Sequence, residues 1–402
     1  MMEQPAFGRR LKQLRTERGL TQNQLAGEGM STGYLSRLES GTRRPTEQAA
    51  AHLADRLGVT PADLAAPPAR PLEETLAIAT GLPTEQAGEL LARALRADTG
   101  NNPLTRWQAL WHVASWRQGT GERAEQRAAE TELVALADEV DVAELRVRAR
   151  ARLTRTLRSA GEVSDAVETA SAAHRLAATE GLASDLKVQA LLALAPALLE
   201  AGRRPEARAR VEELLDLVEG GSDATWARAV WTAASVINLQ GERQAALDLL
   251  APALERFEGR LEPPLWAGLR MFAAGVHLWA APPHQIEPAE RLIDEVEAAK
   301  PFVSTPTIEL DLRVLRARLA VLTRRVDEAR DLLQALRPDL EQLTYRDQAR
   351  MELLRHQLLL LDGRQEEGMR GLRALARQAE GSGNMNLAAE IWREAAEALT
   401  TT

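Results

Sequence analysis

Residues 202–208 read GRRPEAR and residues 324–330 read RRVDEAR. Each follows a run of leucine and alanine at helical spacing and precedes another such run. Each also has an alanine five residues after its first residue. The same sequence of apolar helix, short turn and small residue recurs at Gly161-Glu162 with Ala166, at Gly241-Glu242 with Ala246, and at Gly363-Arg364 with Gly368. Successive turns lie 41, 39, 83 and 39 residues apart. Within the doubled interval a proline-rich stretch, Pro282 to Pro288, stands where a turn is due, and Ala289 takes the small-residue position. A glycine stops a helix by turning left-handed, and a small residue lets the next helix come close. Such a hairpin cannot bury its apolar face alone, so neighbouring hairpins must stack. Ala, Leu, Arg and Glu favour helix, and no alternating β-branched or aromatic run occurs, so the chain reads as all-α.

A different pattern precedes the repeats. From Phe7 the sequence runs FGRRLKQLRTERGLTQNQLAGEGMSTGYLSRLESGTRRPTEQAAAHLADRLGVTPADL. Phe7, Leu11 and Leu14 share one face of a first helix, which Gly19 stops. Thr21 and Gln24 form a capping box for a second helix, with Leu20 and Leu25 placed for a hydrophobic staple. Ser31 caps a third helix that ends at Gly41, and Thr46 starts a fourth whose Leu53 and Leu57 point inward. Two short helices joined by a glycine-bearing turn make a helix-turn-helix. On the third helix Leu35 and Leu38 face the core, which leaves Thr32, Gly33, Ser36 and Arg37 on the opposite side.

These residues resemble the Cro and phage-repressor (XRE) family of regulators. The resemblance is carried by Leu20-Thr21-Gln22, Leu25-Ala26, Tyr34 to Gly41, Arg43-Arg44-Pro45 and Leu57-Gly58-Val59. It implies a five-helix DNA-binding domain over residues 1–66. The turn Gly27-Glu28-Gly29-Met30 is one residue shorter than the family's usual pattern. The resemblance further implies that Thr32, Gly33, Ser36 and Arg37 enter the major groove of a double-stranded operator. Gln22 is similar to the family's glutamine that clamps the DNA backbone, and Tyr34, Arg43 and Arg44 are expected at phosphates. Arg37 suits bidentate pairing with guanine.

The repeats resemble the tetratricopeptide (TPR) family over roughly residues 104–400, with longer helices, because TPR units run about 34 residues. Residues 67–103, which include Pro67, Pro68 and Pro71, are expected to hold a linker and connecting helices, leaving 104–402 as a TPR-like solenoid. Counting back from each turn places groove-facing residues at Arg148, Arg155, Arg158, Gln189, Arg228, Trp231, Ser235, Asn238, Arg350 and Gln357. Arginines that converge in a groove suit a carboxylate, and Asn238 suits an extended peptide backbone. The run from Leu145 to Arg158 reads equally as a solvated face with internal ion pairs. Trp107, Trp111 and Trp116 read as core, or alternatively as an aromatic pocket.

Composition narrows the function. The 402 residues contain no cysteine, which removes disulfide and thiolate chemistry. The net charge is −8, yet residues 1–60 hold nine Lys/Arg against six Asp/Glu. A basic head on an acidic body is expected where only the head meets phosphate. The six histidines are scattered, and no nucleotide-binding loop occurs, so no enzyme, cofactor or metal site is expected. No signal segment or membrane span is read, and a cytoplasmic protein is expected.

A head of the first family on a body of the second resembles the peptide-sensing helix-turn-helix/TPR regulators of Gram-positive bacteria. This resemblance implies a homodimer that binds an operator under control of a short signalling peptide. Two alternatives stay open: repeats that bind a hydrophobic small molecule or a partner protein, and a TPR adaptor with a non-functional DNA head.

Overall fold

The computed structural model describes residues 4–400 except 5, 28, 62–63, 65–70, 99–101, 222, 260–261, 281 and 304. Every regular element among the described residues is a helix. None is long and apolar enough to cross a membrane. The chain divides into two compact units, Met1–Ala109 and Leu110–Thr402.

The first unit opens with α1 (Ala6–Glu17), α2 (Gln22–Ala26), α3 (Thr32–Glu39) and α4 (Glu47–Leu57). The Thr21 hydroxyl accepts from the Gln24 amide at 3.2 Å, and the Gln24 side chain accepts from the Thr21 amide at 2.8 Å. Ser31 and Thr46 cap α3 and α4 in the same way. Phe7, Leu11, Leu25, Leu35, Leu38, Leu53 and Leu57 form one buried cluster, with Leu20 packed against it. At Gly8 a Cβ would stand 2.2 Å from the Leu38 carbonyl oxygen, so α1 meets the end of α3 through a residue that must lack a side chain. Most of the expected fifth helix and of the proline linker lies outside the described residues, although Leu64 closes the head core. The connecting stretch forms α5 (Leu72–Ala79) and α6 (Thr84–Ala97).

Hairpins follow in sequence order. After α7 (Pro103–Thr120) and α8 (Arg123–Val140) they are α9 (Ala143–Ser159) with α10 (Val163–Thr179), and α11 (Ser184–Glu200) with α12 (Arg204–Leu217). Next come α13 (Ala224–Leu239) with α14 (Arg243–Arg256), and α15 (Pro263–Trp279) with α16 (Ile286–Val303). The last are α17 (Pro306–Leu322) with α18 (Val326–Leu336), then α19 (Tyr345–Leu361) with α20 (Gln365–Gly381), and the closing helix α21 (Met385–Thr400). Helices α9, α10 and α11 each run 17 residues, which accounts for the long repeat.

The repeated turn has one mechanism. After α11, the Arg203 amide donates to Leu198 O at 2.8 Å and the Gly202 amide to Leu199 O at 3.0 Å. This is a Schellman motif, which satisfies carbonyls that a helix end leaves free. The same pair of bonds closes α9, α13, α17 and α19. The small residues Ala166, Ala207, Ala246 and Ala329 are fully buried or nearly so. A Cβ on Gly368 would meet the Leu360 side chain at 2.5 Å.

Within the second unit the last helices return to the first ones. The Asn384 side chain donates to Gly161 O at 3.0 Å. Tyr345 lies over Gly161, where an added Cβ would fall 2.6 Å from its ring, and Met385 lies against Gly202. Arg123 donates to the Gln342 carbonyl. Turns near the start of the stack thus carry the end of it.

Arg324 holds the left-handed turn position, with φ of +59°, that glycine fills at the comparable turns. For an L side chain this conformation costs about 1 kcal/mol. Arg324→Gly should therefore raise the urea unfolding midpoint, by about 0.5–1 kcal/mol in stability. Gly202→Ala, at φ of +76° and with Met385 close by, should lower it.

Candidate functional site

Two surfaces carry the residues singled out in the sequence. On the head, Thr32, Gly33, Ser36 and Arg37 all lie exposed on one side of α3, opposite the buried Leu35 and Leu38. An added Cβ at Gly33 would meet nothing within 4 Å, so the fold itself does not require glycine there. Tyr34 is half-buried, and the Arg43 guanidinium lies 4.7 Å from its ring centroid. Arg44 is exposed. The Gln22 amide is committed to the protein, donating to Glu39 at 2.7 Å. Glu39 is itself buried and receives Arg15 at 2.6 and 3.1 Å. Its carboxylate raises the Arg15 pKa, so α1, α2 and α3 are joined by one charge-assisted cluster. Gly27, in the shortened turn, has φ of +56°. A Cβ there would strike the Arg56 guanidinium, which reaches from α4 to the Gln24 carbonyl at 2.6 Å. Glu28 lies outside the described residues.

In the second unit a cavity of about 750 Å³ opens among α9, α11, α13, α15, α17, α19 and α21. Of the groove residues expected from the sequence, Arg158, Trp231, Ser235, Asn238 and Arg350 line it. The others lie elsewhere. Arg148 pairs with Asp185 at 3.8 Å near the surface, and Arg228 pairs with Glu262. Gln189 is half-buried away from the lining. Gln357 is absorbed into a network, accepting from Arg318 at 3.0 Å and donating to Glu394 at 2.7 Å. Arg155 is exposed and makes no hydrogen bond or ion pair among the described residues. Elsewhere the run from Leu145 to Arg158 is largely paired: Arg146 and Arg150 with Asp138, and Arg152 with the buried Glu130 at 2.8 Å.

The cavity wall combines aromatic rings and paired charges. Trp231 and Phe272 stand with ring centroids 5.9 Å apart, and Trp279 lies 4.5 Å from the guanidiniums of both Arg318 and Arg350. The aromatic wall is therefore not the Trp107–Trp116 stretch, where Trp107 is buried and Arg152 and Arg117 cover Trp111 and Trp116. Most lining charges are paired. Arg158 holds Glu200 at 2.7 and 3.1 Å, and Arg346 and Arg350 hold Glu390. Burial pushes the Glu390 carboxyl up, but Arg350 and Arg346 more than offset this and leave it below the usual carboxylate range.

A family model described as a helix-turn-helix domain matches residues 6–66. Residues 6–66 are a helix-turn-helix domain. No curated protein matches the sequence. Among solved structures, a Rap protein complexed with Competence and Sporulation Factor aligns with 98% of this chain and 98% of its own, at 10% identity and a TM-score of 0.54. That likeness shows a shared helical-repeat fold. The Rap conjugation regulator of plasmid pLS20, in complex with the Phr* peptide, aligns with 94% of this chain and 96% of its own at 14% identity and a TM-score of 0.49. PlcR of Bacillus thuringiensis, in complex with the peptide PapR7 and DNA, aligns with 62% of this chain and 92% of its own, at 14% identity and a TM-score of 0.35.

The cavity of the second unit is also lined by residues that the turn-based count passes over: Asp311, Trp279, Asn386 and Arg393. Three residues of the lining each have a buried polar atom without a hydrogen-bond partner: Asn238 Oδ1, Asn386 Oδ1 and Trp279 Nε1. The sequence holds one signal for Asp311. It stands seven residues before Arg318, hence two turns away on the same face of α17. Burial, with the like charge of Asp347 beside it, holds the Asp311 carboxyl well above the ordinary carboxylate range, against the pull of Arg123 and Arg350. A carboxyl held above its unfolded value loses stability as pH rises through the folded value, and its full contribution exists only below the unfolded one. Asp311→Asn should therefore raise the melting temperature at pH 7. The advantage should vanish near pH 3, where both states of the unmutated protein carry the proton.

Proposed function

We propose that this chain is a sequence-specific DNA-binding regulator of transcription that acts as a homodimer and binds a short peptide in its repeat domain. The observation that carries the DNA reading is the exposed face of α3. Thr32, Gly33, Ser36 and Arg37 project from a helix whose opposite side is locked into the head core. The open space over Gly33 suits close approach of a groove wall, Arg37 suits guanine, and Thr32 suits a thymine methyl or a phosphate. Ser36 lies beside Arg37 on this face, and Arg43 and Arg44 flank it with positive charge for phosphates. Gln22 supports the interface from the helix-two side while its amide is held by Glu39. Because one head offers only a modest basic surface, two heads spanning half-sites about 34 Å apart are needed for specific binding.

The ligand reading rests on the cavity. Its volume falls in the range of small-ligand sites, and Asn238 and Asn386 in its wall carry side-chain amides of the kind that pair with a peptide backbone. The Rap protein whose fold the chain shares was solved complexed with Competence and Sporulation Factor, and this favours a factor of that kind over a protein partner. Trp231, Phe272 and Trp279 favour a second reading, a hydrophobic small molecule, but they equally serve apolar side chains of a peptide. Arg155, exposed and without a hydrogen bond or ion pair among the described residues, suits a carboxylate.

Gly33→Glu separates folding from binding. A glutamate in the first helical turn favours the helix dipole and removes a helix-destabilising glycine, so the melting temperature should hold or rise. The same charge faces the phosphates, so retardation of genomic fragments selected by the unmutated protein should be lost. Arg37→Ala should weaken binding to those fragments by about 1–3 kcal/mol at fixed salt. Absence of any sequence-selective retardation by the unmutated protein, with or without cell extract, would end the transcription reading.

A further inference from the structure

Inside a helix, glycine is the least favourable residue after proline, so its presence there has a cause. Within the helices of the second unit, packing is the cause at Gly268, Gly368 and Gly371. A Cβ at Gly268 would stand 2.8 Å from the Trp231 ring, one at Gly368 would strike the Leu360 side chain, and one at Gly371 would fall in the His356 ring. Gly275 is different. It stands four residues before the end of α15 and has no left-handed backbone that would call for glycine. A Cβ there would meet Trp279 Cδ1 at 3.8 Å and Leu315 Cδ2 at 3.9 Å, which are ordinary contact distances. Alanine would fit and would favour the helix. Neither local structure nor packing within the protein accounts for the glycine.

Gly275 lines the cavity, and so does Gly268, two helical turns away on the same face of α15. Together they leave a strip of bare helix backbone in the cavity wall. At Gly268 the protein lays its own Trp231 ring on that strip, where the ring takes the place of the missing side chain. At Gly275 no group of the protein takes that place. The lining one turn to either side is apolar: Met271 and Phe272 before it, Val276 and Trp279 after it, with Leu315 facing from α17. The Trp279 ring is held by the guanidiniums of Arg318 and Arg350, each 4.5 Å from its centroid, so this part of the wall is fixed in advance.

We propose that Gly275 is a specificity-determining position that admits an aromatic side chain of the bound peptide, laid on α15 as Trp231 is laid on it at Gly268. This rests on the peptide reading above and gives that peptide a chemistry: one of its residues is phenylalanine, tyrosine or tryptophan. A flat ring can lie closer to bare backbone than a branched aliphatic group, and the nearby Trp279 edge offers it an aromatic neighbour. Selection at this position works by exclusion. A methyl group at residue 275 would stand where the ring lies, and a ring lifted off the helix loses the dispersion contacts that hold it. Smaller side chains would be unaffected, so a single carbon separates aromatic from small residues.

The test uses the full chain and two probes. The first is an equimolar pool of random hexapeptides, captured by the protein and identified by mass spectrometry. The second is N-phenyl-1-naphthylamine, an uncharged aromatic fluorophore that brightens in apolar surroundings. Gly275→Ala should melt about 1–2 °C above the unmutated protein, because alanine favours the helix. Peptides recovered by the unmutated protein should be enriched about tenfold in phenylalanine, tyrosine or tryptophan. In Gly275→Ala that enrichment should vanish, and the fluorophore should bind about tenfold more weakly, the usual scale for one added carbon in a fitted pocket. Gly119→Ala makes the same exchange in α7, outside the cavity lining and with nothing within 4 Å of the added carbon, and should keep both properties. A lower melting temperature in Gly275→Ala overturns the proposal, since packing would then account for the glycine. Peptide recovery without aromatic enrichment overturns it, as does equal enrichment in Gly275→Ala or an equal loss in Gly119→Ala. Fluorophore binding that needs Gly275, without any peptide capture, would keep the subsite and sink the peptide reading. Neither capture nor fluorophore binding removes both.

Discussion

Arg318 has no solvent exposure, and the repeat domain is organised around satisfying it. Its guanidinium donates to Glu394 at 2.7 Å, to Gln357 at 3.0 Å and to the Leu278 carbonyl at 3.2 Å. The Trp279 ring lies against it. Four helices supply these groups: α15, α17, α19 and α21. Leu278 O and the adjacent Trp279 O, which accepts from Arg393 at 2.6 Å, are terminal carbonyls of α15 that need partners. A charge so far from water is tolerated only when every partner is present, and a missing partner is worth several kcal/mol. The closing helix is therefore part of the cavity's foundation, and the walls bearing Trp279, Arg350 and Asn386 are set by the same contacts.

That arrangement sorts the polar groups of the interior into two populations. Arg152–Glu130, Arg318–Glu394 and the Glu390 cluster are complete within the protein and hold helices in register. Asp311, Asn238 and Asn386 are incomplete and share a cavity. The difference is one of neighbours, since carboxyl groups occur in both sets. In the head the distinction also holds: Glu39 is completed by Arg15 and Gln22, whereas the outward side of α3 contributes no side chain to the core.

Local chemistry was readable from the sequence. The Thr21–Gln24 box, the Ser31 and Thr46 caps and the glycine turns depend on residues within a few positions of one another, and all form as expected. Counting back from the turns also placed Arg158, Trp231, Asn238 and Arg350 in the cavity wall, because helical period and turn position fix which side of a hairpin they occupy. Gln357 obeys the same count, but α21 comes in from 37 residues away and covers it with Glu394. Asp311 and Asn386 eluded the count for a related reason. Their significance is that no partner reaches them, and this depends on where Arg123, Arg350 and the last helix go. The meeting of Asn384 with Gly161 spans 223 residues, and no local pattern encodes it.

That meeting changes what kind of object the repeat array is. An open solenoid behaves as a one-dimensional chain whose energy is a sum over neighbouring units, so its ends fray and repeats are added or lost with little penalty elsewhere. Once Asn384, Tyr345 and Met385 rest on the Gly161 and Gly202 turns, the sum acquires a term that joins early members to the last ones. The array becomes a circuit, in which a change at any hairpin is felt at the seam. Repeat number is then fixed by closure, and evolution by gain or loss of a single unit is barred unless the seam is rebuilt with it.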